Sequence, residues 1–131
     1  MTACQGTTPY RVRSVASVRG CPIADAAFEE IVKKLLAAKR PMLYVGGGVM
    51  LADATAELRA FVDHLQLPVA HTIMGKGAVS DDHPFVLGMT GFWGTKFINE
   101  YCKGADWMLA LGTRFSEADC SSWEREYTFN F

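Results

Sequence analysis

Three glycines at positions 46 to 48 follow directly on the apolar run Met42-Leu-Tyr-Val45. Such a run is typical of a buried parallel strand, and glycines have no Cβ that would keep a ligand away from the backbone. An anion could therefore approach the N-terminus of the next helix and meet unpaired N–H groups, so a nucleotide phosphate is the first ligand to consider. A tight turn that binds nothing explains the same residues, and this stretch alone leaves both readings open.

The same arrangement recurs twice further along the chain. Val69 to Met74 is a predicted strand that runs into Gly75-Lys-Gly77, and Asp106 to Leu111 is another that ends in Gly112. Parallel strands present their carboxyl ends at one edge of a sheet, where folds of this class bind ligands. Arg114 follows directly and could pair with a phosphate or stack on a flat ring, although a surface salt bridge is the alternative. The three strand ends together predict a bound nucleotide or dinucleotide.

The signatures of the common nucleotide-dependent enzymes are incomplete. A dinucleotide fingerprint needs a glycine where Leu51 stands, and no acidic residue follows the second strand to hold a ribose. Gly75-Lys-Gly77 lacks the Ser or Thr of a P-loop, and the chain has no Gly-x-Ser-x-Gly nucleophile elbow. Asp81-Asp82 is typical of a solvated turn, and neither His64 nor His71 has an evident acidic partner. We therefore predict no catalytic residue and no metal ligand.

Composition indicates one globular domain. The chain has 131 residues, half of them hydrophobic, and a net charge of −1. It shows no basic stripe interleaved with aromatics and no apolar run near the ~18 residues that a membrane span needs, so nucleic acid and membrane are disfavoured. The four cysteines form no zinc pattern, and the polar N-terminus does not resemble a signal peptide. We expect free thiols and a cytoplasmic location.

The charge and the Gly and Pro content of the first segment differ from those of the rest of the chain. Residues 1 to 40 hold seven Lys or Arg against three Asp or Glu, whereas residues 41 to 131 hold six against eleven. Residues 1–22 have no sustained period and several Gly and Pro, which predicts an arm or interdomain linker. Residues 23–131 form the predicted domain.

Periodicity assigns the helices and strands of this domain. The spacing predicts a helix from about 24 to 38 whose buried face includes Phe28, Leu35 and Leu36, and then a strand over 41–45. Asp53 is the predicted N-cap of a helix that ends before Pro68, with Ala54, Leu58, Phe61, Val62 and Leu65 buried.

The second half of the domain is less regular. Residues 80–84 form a predicted surface turn, and residues 85–93 a loop over the sheet edge. Thr95 is predicted to cap a helix that ends at Gly104, and residues 116–131 show no period. Alternating strands and helices predict an α/β, Rossmann-like parallel sheet with right-handed crossovers and helices on both faces.

With these residues assembled, the chain resembles the central domain of thiamine-diphosphate-dependent enzymes of the acetohydroxyacid (acetolactate) synthase group. The likeness runs from about Ala24 to Phe115. Its specificity lies in the order and spacing of several motifs, which are Lys39-Arg-Pro-Met-Leu-Tyr-Val-Gly-Gly-Gly48, Leu67-Pro-Val-Ala-His-Thr-Ile-Met-Gly-Lys-Gly77, Asp82-His-Pro84, Leu87-Gly-Met-Thr-Gly91 and Ala105-Asp-Trp-Met-Leu-Ala-Leu-Gly-Thr-Arg-Phe115.

The resemblance implies one domain of a three-domain subunit, with thiamine diphosphate and Mg2+ bound by N- and C-terminal domains that this sequence lacks. In that family a Gly-Asp-Gly motif helps to hold the diphosphate and Mg2+, and this sequence has none, so it looks like an excerpt that is not catalytic alone. The complete enzyme is expected to decarboxylate or ligate a 2-oxo acid and to form a homodimer or homotetramer. Central domains of this family hold FAD, ADP or nothing. The residues that match the cofactor-facing positions are Gly46, Gly47, Gly48, Met74, Gly75, Gly77, Gly88, Met89, Gly112 and Arg114.

The sequence departs from the family pattern at two places. Thr90 stands where the synthases usually have histidine, and Ser116-Glu117 stands where they usually have two aspartates. These departures favour a relative over a true synthase and put FAD in question. Two alternatives stay open: a stand-alone flavin- or nucleotide-binding module, and a purely structural domain whose glycines only make turns.

Overall fold

The computed structural model describes residues 23–129, so the predicted arm over residues 1–22 lies outside the described residues. The described chain alternates strands and helices. The helices are α1 (Asp25–Ala37), α2 (Gly48–Leu51), α3 (Thr55–Leu65) and α4 (Lys96–Lys103), and the strands are β1 (Pro41–Val45), β2 (Val69–His71), β3 (Val86–Met89) and β4 (Trp107–Leu111).

The four strands form one parallel sheet in the order β3-β2-β1-β4. β1 lies in the centre, where Leu43 stands opposite Val69 on one side and Leu109 on the other. A central strand in a covered parallel sheet is apolar throughout, and four of the five residues of β1 are buried. The predicted Rossmann-like α/β sheet is confirmed.

Alternate residues of β1 point to opposite faces of the sheet and so build two separate cores. Met42 and Tyr44 belong to one core and Leu43 and Val45 to the other. The first core is completed by α4 and by residues near the C-terminus (Ile98, Cys102, Ala105, Cys120 and Phe129), and the second by α2, α3 and the chain after β2 (Val49, Leu58, Val62, Ala78 and Val79).

The predicted loop over residues 85–93 is wrong in its first half, because residues 86 to 89 form the edge strand β3. Gly88 adopts φ +120°, and the pairing with β2 shifts register between Val69 and Ala70. A glycine and a bulge remove the apolar period by which a strand is recognised in sequence. The sheet therefore has one more strand than the three predicted.

Two further boundaries differ from the prediction. Asp53 does not cap α3: its backbone is left-handed (φ 55°), and Ala54 occupies the N-cap position without a side-chain hydrogen bond. The four-residue α2 before it is too short to show a period in sequence. The predicted strand over 69–74 ends at His71, because Thr72 Oγ1 accepts a hydrogen bond from Gly75 N (2.9 Å) and closes a 3-10 turn.

The flanking helices match their predicted spans, but some residues that were predicted to be buried are exposed. Thr95 caps α4 by accepting from Ile98 N (3.3 Å), and Gly104 follows its last residue, as predicted. The apolar face of α1 is largely uncovered: Leu35 is its buried residue, whereas Phe28 and Leu36 are 55% and 77% exposed.

A 3-10 segment (Ala118–Trp123) follows β4 in the part of the sequence that shows no period. Cys102 and Cys120 are buried free thiols, as expected. Burial raises the pKa of each of these two thiols to about 12. No helix within residues 23–129 has the length and apolar character to cross a membrane.

Candidate functional site

The carboxyl ends of the four strands bring the predicted site residues to one edge of the sheet. Residues 46–48 follow β1, residues 73–77 follow β2, Thr90 follows β3 and Gly112 follows β4. The parallel order of the strands places these loops side by side, as the sequence predicted.

The glycine loops after β1 and β4 touch backbone to backbone. A Cβ added at Gly46 would lie 2.4 Å from Gly112 O, and one at Gly48 would lie 2.8 Å from Gly112 Cα. Gly112 has φ +62°, and its own added Cβ would lie 2.5 Å from Val49 N. These distances are far below van der Waals contact, so the close approach of two loops is a sufficient reason for glycine at all three positions.

The N–H groups of this region are partly used inside the chain. Gly46 N donates to Leu111 O (2.8 Å), and Gly48 N donates to Gly112 O (2.9 Å). The expectation that an anion meets unpaired N–H groups at residues 46 to 48 is therefore wrong for these two donors, because they complete the join between the loops.

The loop after β2 is partly packed and partly open. A Cβ at Gly75 would lie 2.3 Å from Val45 O, and one at Gly47 would lie 2.9 Å from Met74 Cβ. A side chain at either position would therefore overlap neighbouring atoms of the chain. An added Cβ at Gly77 (φ +87°) would have no atom within 4 Å. Met74 is 66% exposed. Of the predicted site residues in this loop, Met74 and Gly77 are exposed and Gly75 is buried.

The remaining predicted positions divide in the same way. An added Cβ at Gly88 would lie 3.0 Å from Ile98 Cδ1, so this glycine packs against α4, and the adjacent Met89 is half-buried. Arg114 is exposed, and within residues 23–129 its guanidinium has no hydrogen-bond or ion-pair partner. The surface salt bridge considered as the alternative is absent within these residues, and the binding of an anion or a ring by Arg114 stays a prediction.

A buried polar network at the end of β3 was not foreseen from sequence. Thr90 is fully buried and its hydroxyl donates to Asp119 O (3.0 Å), so the hydroxyl of Tyr44 must be the donor in the 2.9 Å bond between the two side chains. Burial raises the pKa of Tyr44 well above its ordinary value. Ser116 Oγ donates to Asp119 Oδ2, which closes a local turn at the start of the 3-10 segment.

Both positions at which the sequence analysis expected a departure from the family pattern take part in these contacts. The hydroxyl of Thr90 donates to the backbone O of Asp119, and the hydroxyl of Ser116 donates to its carboxylate.

The acidic turn and the histidine of β2 also meet. Lys76 Nζ donates to Asp81 Oδ2, and this hydrogen bond holds the pKa of Asp81 below its ordinary value. His71 is buried, and its Nδ1 lies 2.9 Å from Thr72 O, so Nδ1 is the donor. Its Nε2 is buried without a hydrogen bond, 3.8 Å from Asp81 Oδ1. The ring of His71 thus makes a hydrogen bond to the backbone at the end of β2. Within residues 23–129, no three metal-ligating side chains cluster.

The exposed side chains at this edge include Met74 and Arg114, an apolar group and a cation. At Gly46, Gly48, Gly75 and Gly112 the position that a Cβ would take is filled by neighbouring backbone, so packing within the chain by itself requires glycine there.

Comparison with known proteins gives the same family as the sequence motifs. Residues 28–130 match the model of the thiamine pyrophosphate enzyme central domain. The chain is 43% identical over 89 residues to a probable acetolactate synthase large subunit of Methanococcus aeolicus, covering 68% of this chain and 15% of that protein.

Two further relatives show the same pattern. The acetolactate synthase isozyme 2 large subunit of Escherichia coli is 42% identical over 92 residues, which cover 70% of this chain and 17% of that protein. The acetolactate synthase large subunit of Porphyra purpurea is 36% identical over 104 residues, which cover 76% and 18%. The chain thus spans less than a fifth of the length of these curated relatives. By fold and by sequence, it belongs to the family of thiamine pyrophosphate enzyme central domains.

Proposed function

We propose that this chain is the central domain of a thiamine-diphosphate-dependent decarboxylase or carboligase that acts on a 2-oxo acid. The observation that carries the proposal is the match of residues 28–130 to the family model, together with relatives that are acetolactate synthase large subunits. The complete enzyme would be a cytoplasmic homodimer or homotetramer.

The role that we assign to the domain is to orient the two cofactor-binding domains. Thiamine diphosphate with Mg2+, held by N- and C-terminal domains of the same polypeptide, would supply the electron sink for decarboxylation. The packed contacts between Gly46, Gly48 and Gly112 and the Tyr44–Thr90 hydrogen bond keep the strand-end loops rigid. A rigid edge can orient the two cofactor-binding domains.

An exchange experiment tests this role. Residues 28–115 replace the matching segment of the Escherichia coli acetolactate synthase isozyme 2 large subunit, and acetolactate formation is measured. We expect the chimera to be active, and the chain alone, given thiamine diphosphate, Mg2+ and pyruvate, to show no turnover. A folded but inactive chimera, or turnover by the chain alone, contradicts the proposal.

A nucleotide-binding role for the same edge is a second, finer proposal. FAD or ADP would contact Met74, Gly77, Met89 and Arg114, with the remaining predicted glycines behind them. The support is that Arg114 and Met74 are both exposed and both follow strands whose carboxyl ends lie at this edge of the sheet. Calorimetric titration of FAD, ADP and NAD into the active chimera measures it.

Arg114→Ala is the diagnostic variant, and Arg59→Ala, which removes an exposed arginine on α3, is its matched control. We expect Arg114→Ala alone to weaken binding, by roughly 1.5–3 kcal/mol if the guanidinium makes a charge-assisted hydrogen bond to phosphate. Equal affinities in both variants contradict the assignment of Arg114.

The alternative, a stand-alone flavin- or nucleotide-binding module, differs in what the isolated chain does. Such a module binds FAD or ADP tightly by itself, whereas a domain whose site needs its neighbours binds weakly or not at all. Titration of the 131-residue chain separates the two, and an inactive chimera combined with tight binding favours the module.

A further inference from the structure

An open cleft lies on the α4 side of the domain. Its volume is about 670 Å3, within the range of ligand-binding clefts. We call it the acidic cleft. Its walls come from the chain after β3, the start of α4 and the segment before the C-terminus, and include Phe92, Lys96, Glu100, Glu124, Glu126 and Tyr127.

The charge of the cleft is unbalanced. One lysine and three glutamates line it, so charges of +1 and −3 leave −2. Lys96 Nζ lies 3.7 Å from Glu100 Oε1, so the cation of the cleft already has a partner. Lys103 Nζ donates to the backbone O of Glu126, and within residues 23–129 no cation contacts the carboxylate of Glu124 or Glu126. These two carboxylates are open to an external cation.

The apolar part of the cleft suits one type of cation. Phe92 and Tyr127 both line the cleft and are 59% and 61% exposed. A guanidinium can stack on an aromatic face while its N–H groups donate to carboxylates, whereas an ammonium ion stacks less well. Exposed rings beside unpaired carboxylates therefore favour arginine.

The sequence contains a segment of that chemistry. Residues 1–22 include three arginines (Arg11, Arg13 and Arg19) and no acidic residue, whereas residues 23–131 hold ten Lys or Arg against fourteen Asp or Glu. Arg13 precedes Ile23 by ten residues, which span at most about 36 Å when extended. That reach is comparable with the width of a domain of this size, whose radius of gyration is roughly 13 Å.

We propose that the acidic cleft binds the arginine-bearing segment Arg11–Arg19 of the same chain. The opposite charges of segment and cleft carry this inference, which does not depend on the thiamine-dependent function.

Photo-crosslinking in the full chain tests the proposal. Tyr127 is replaced by benzoylphenylalanine, and crosslinked peptides are identified by mass spectrometry. We expect crosslinks within residues 9–20. Phe97 is the matched control, because it is 67% exposed on α4 but does not line the cleft. A mixture of 14N- and 15N-labelled chains shows whether crosslinks form within one chain.

Charge exchange supplies the second arm. The pair Arg11→Glu and Arg13→Glu should lower the crosslink yield about tenfold, since like charges placed together are repulsive. Adding Glu124→Arg and Glu126→Arg should restore it. The proposal is overturned if no crosslink reaches residues 1–22, if the Phe97 probe gives equal yield, if crosslinks form only between chains, or if charge exchange has no effect.

Discussion

The two ends of the β1–β4 pair are joined by different means. At the carboxyl end, Gly46 and Gly48 approach Gly112 so closely that a single added Cβ would clash. At the amino end, the carboxylate of Asp106 accepts hydrogen bonds from Lys39 N (2.7 Å) and Arg40 N (2.9 Å). The carboxyl end therefore depends on the absence of side chains, and the amino end on one exposed side chain.

A glycine in a strand-end loop can be required by steric crowding, by a positive φ, or by both. Gly112 and Gly77 both have positive φ, but an added Cβ meets backbone at Gly112 and nothing at Gly77. Gly46 is crowded without a positive φ. The three positions thus separate crowding from backbone strain, and single substitutions to alanine measure each contribution.

Gly112→Ala should cause the largest loss. It combines left-handed strain of about 1–2 kcal/mol with overpacking of about 1–3 kcal/mol, so we expect roughly 2–5 kcal/mol less stability. Urea unfolding measures it, with the slope of the transition checked against the wild-type chain. A loss under about 1 kcal/mol would show that the two loops separate easily.

Gly46→Ala should cost less, because its added Cβ overlaps the backbone of Gly112 and Thr113 but the residue has no positive φ. We expect about 1–3 kcal/mol from overpacking alone. The double variant with Gly112→Ala should cost less than the sum of the two, since both substitutions force apart the same two loops. Strict additivity, measured by the same unfolding curves, would contradict this coupling.

Gly77→Ala should report strain alone. Its open surroundings leave a cost of about 1–2 kcal/mol for a non-glycine residue with positive φ. Gly77→Asn is the control, because asparagine tolerates positive φ better than alanine and should recover part of the loss. Equal effects at Gly77 and Gly112 would mean that crowding adds nothing.

Asp106→Asn probes the other end and should have the smallest effect. Partial burial acts to raise the pKa of Asp106, but the hydrogen bonds from Arg40 N and Lys39 N outweigh it and lower the pKa. The stabilisation is therefore present above the ordinary pKa of 3.8 and is lost as the pH falls through the lowered value.

Unfolding measured at pH 7 and at pH 3 tests this sign. The wild-type chain should lose stability toward pH 3 by more than the Asp106→Asn variant does. Identical pH dependence of both proteins would show that these two hydrogen bonds contribute nothing measurable.

The sequence predicted an element correctly where a single local pattern, such as an apolar run or a pair of capping residues, defines it. The apolar run at residues 41–45 predicted the central strand, and Thr95 and Gly104 marked the ends of α4. It failed at β3, because Gly88 hides the period, and at Asp53, because a four-residue helix precedes it. It also overestimated burial along α1, since an apolar face predicts a contact but not its presence.

The family and the parallel α/β sheet could be predicted without coordinates, because motif order and apolar period are properties of the chain. The position of the glycines at strand ends could be predicted in the same way. The reason why most of these positions need glycine became visible in the folded chain, since the distance from Gly46 to Gly112 depends on how β4 pairs with β1 across 66 residues. The tertiary structure likewise turned Thr90 inward, because a hydroxyl at a buried strand end must find partners, and Tyr44 and Asp119 are its neighbours only in the folded chain.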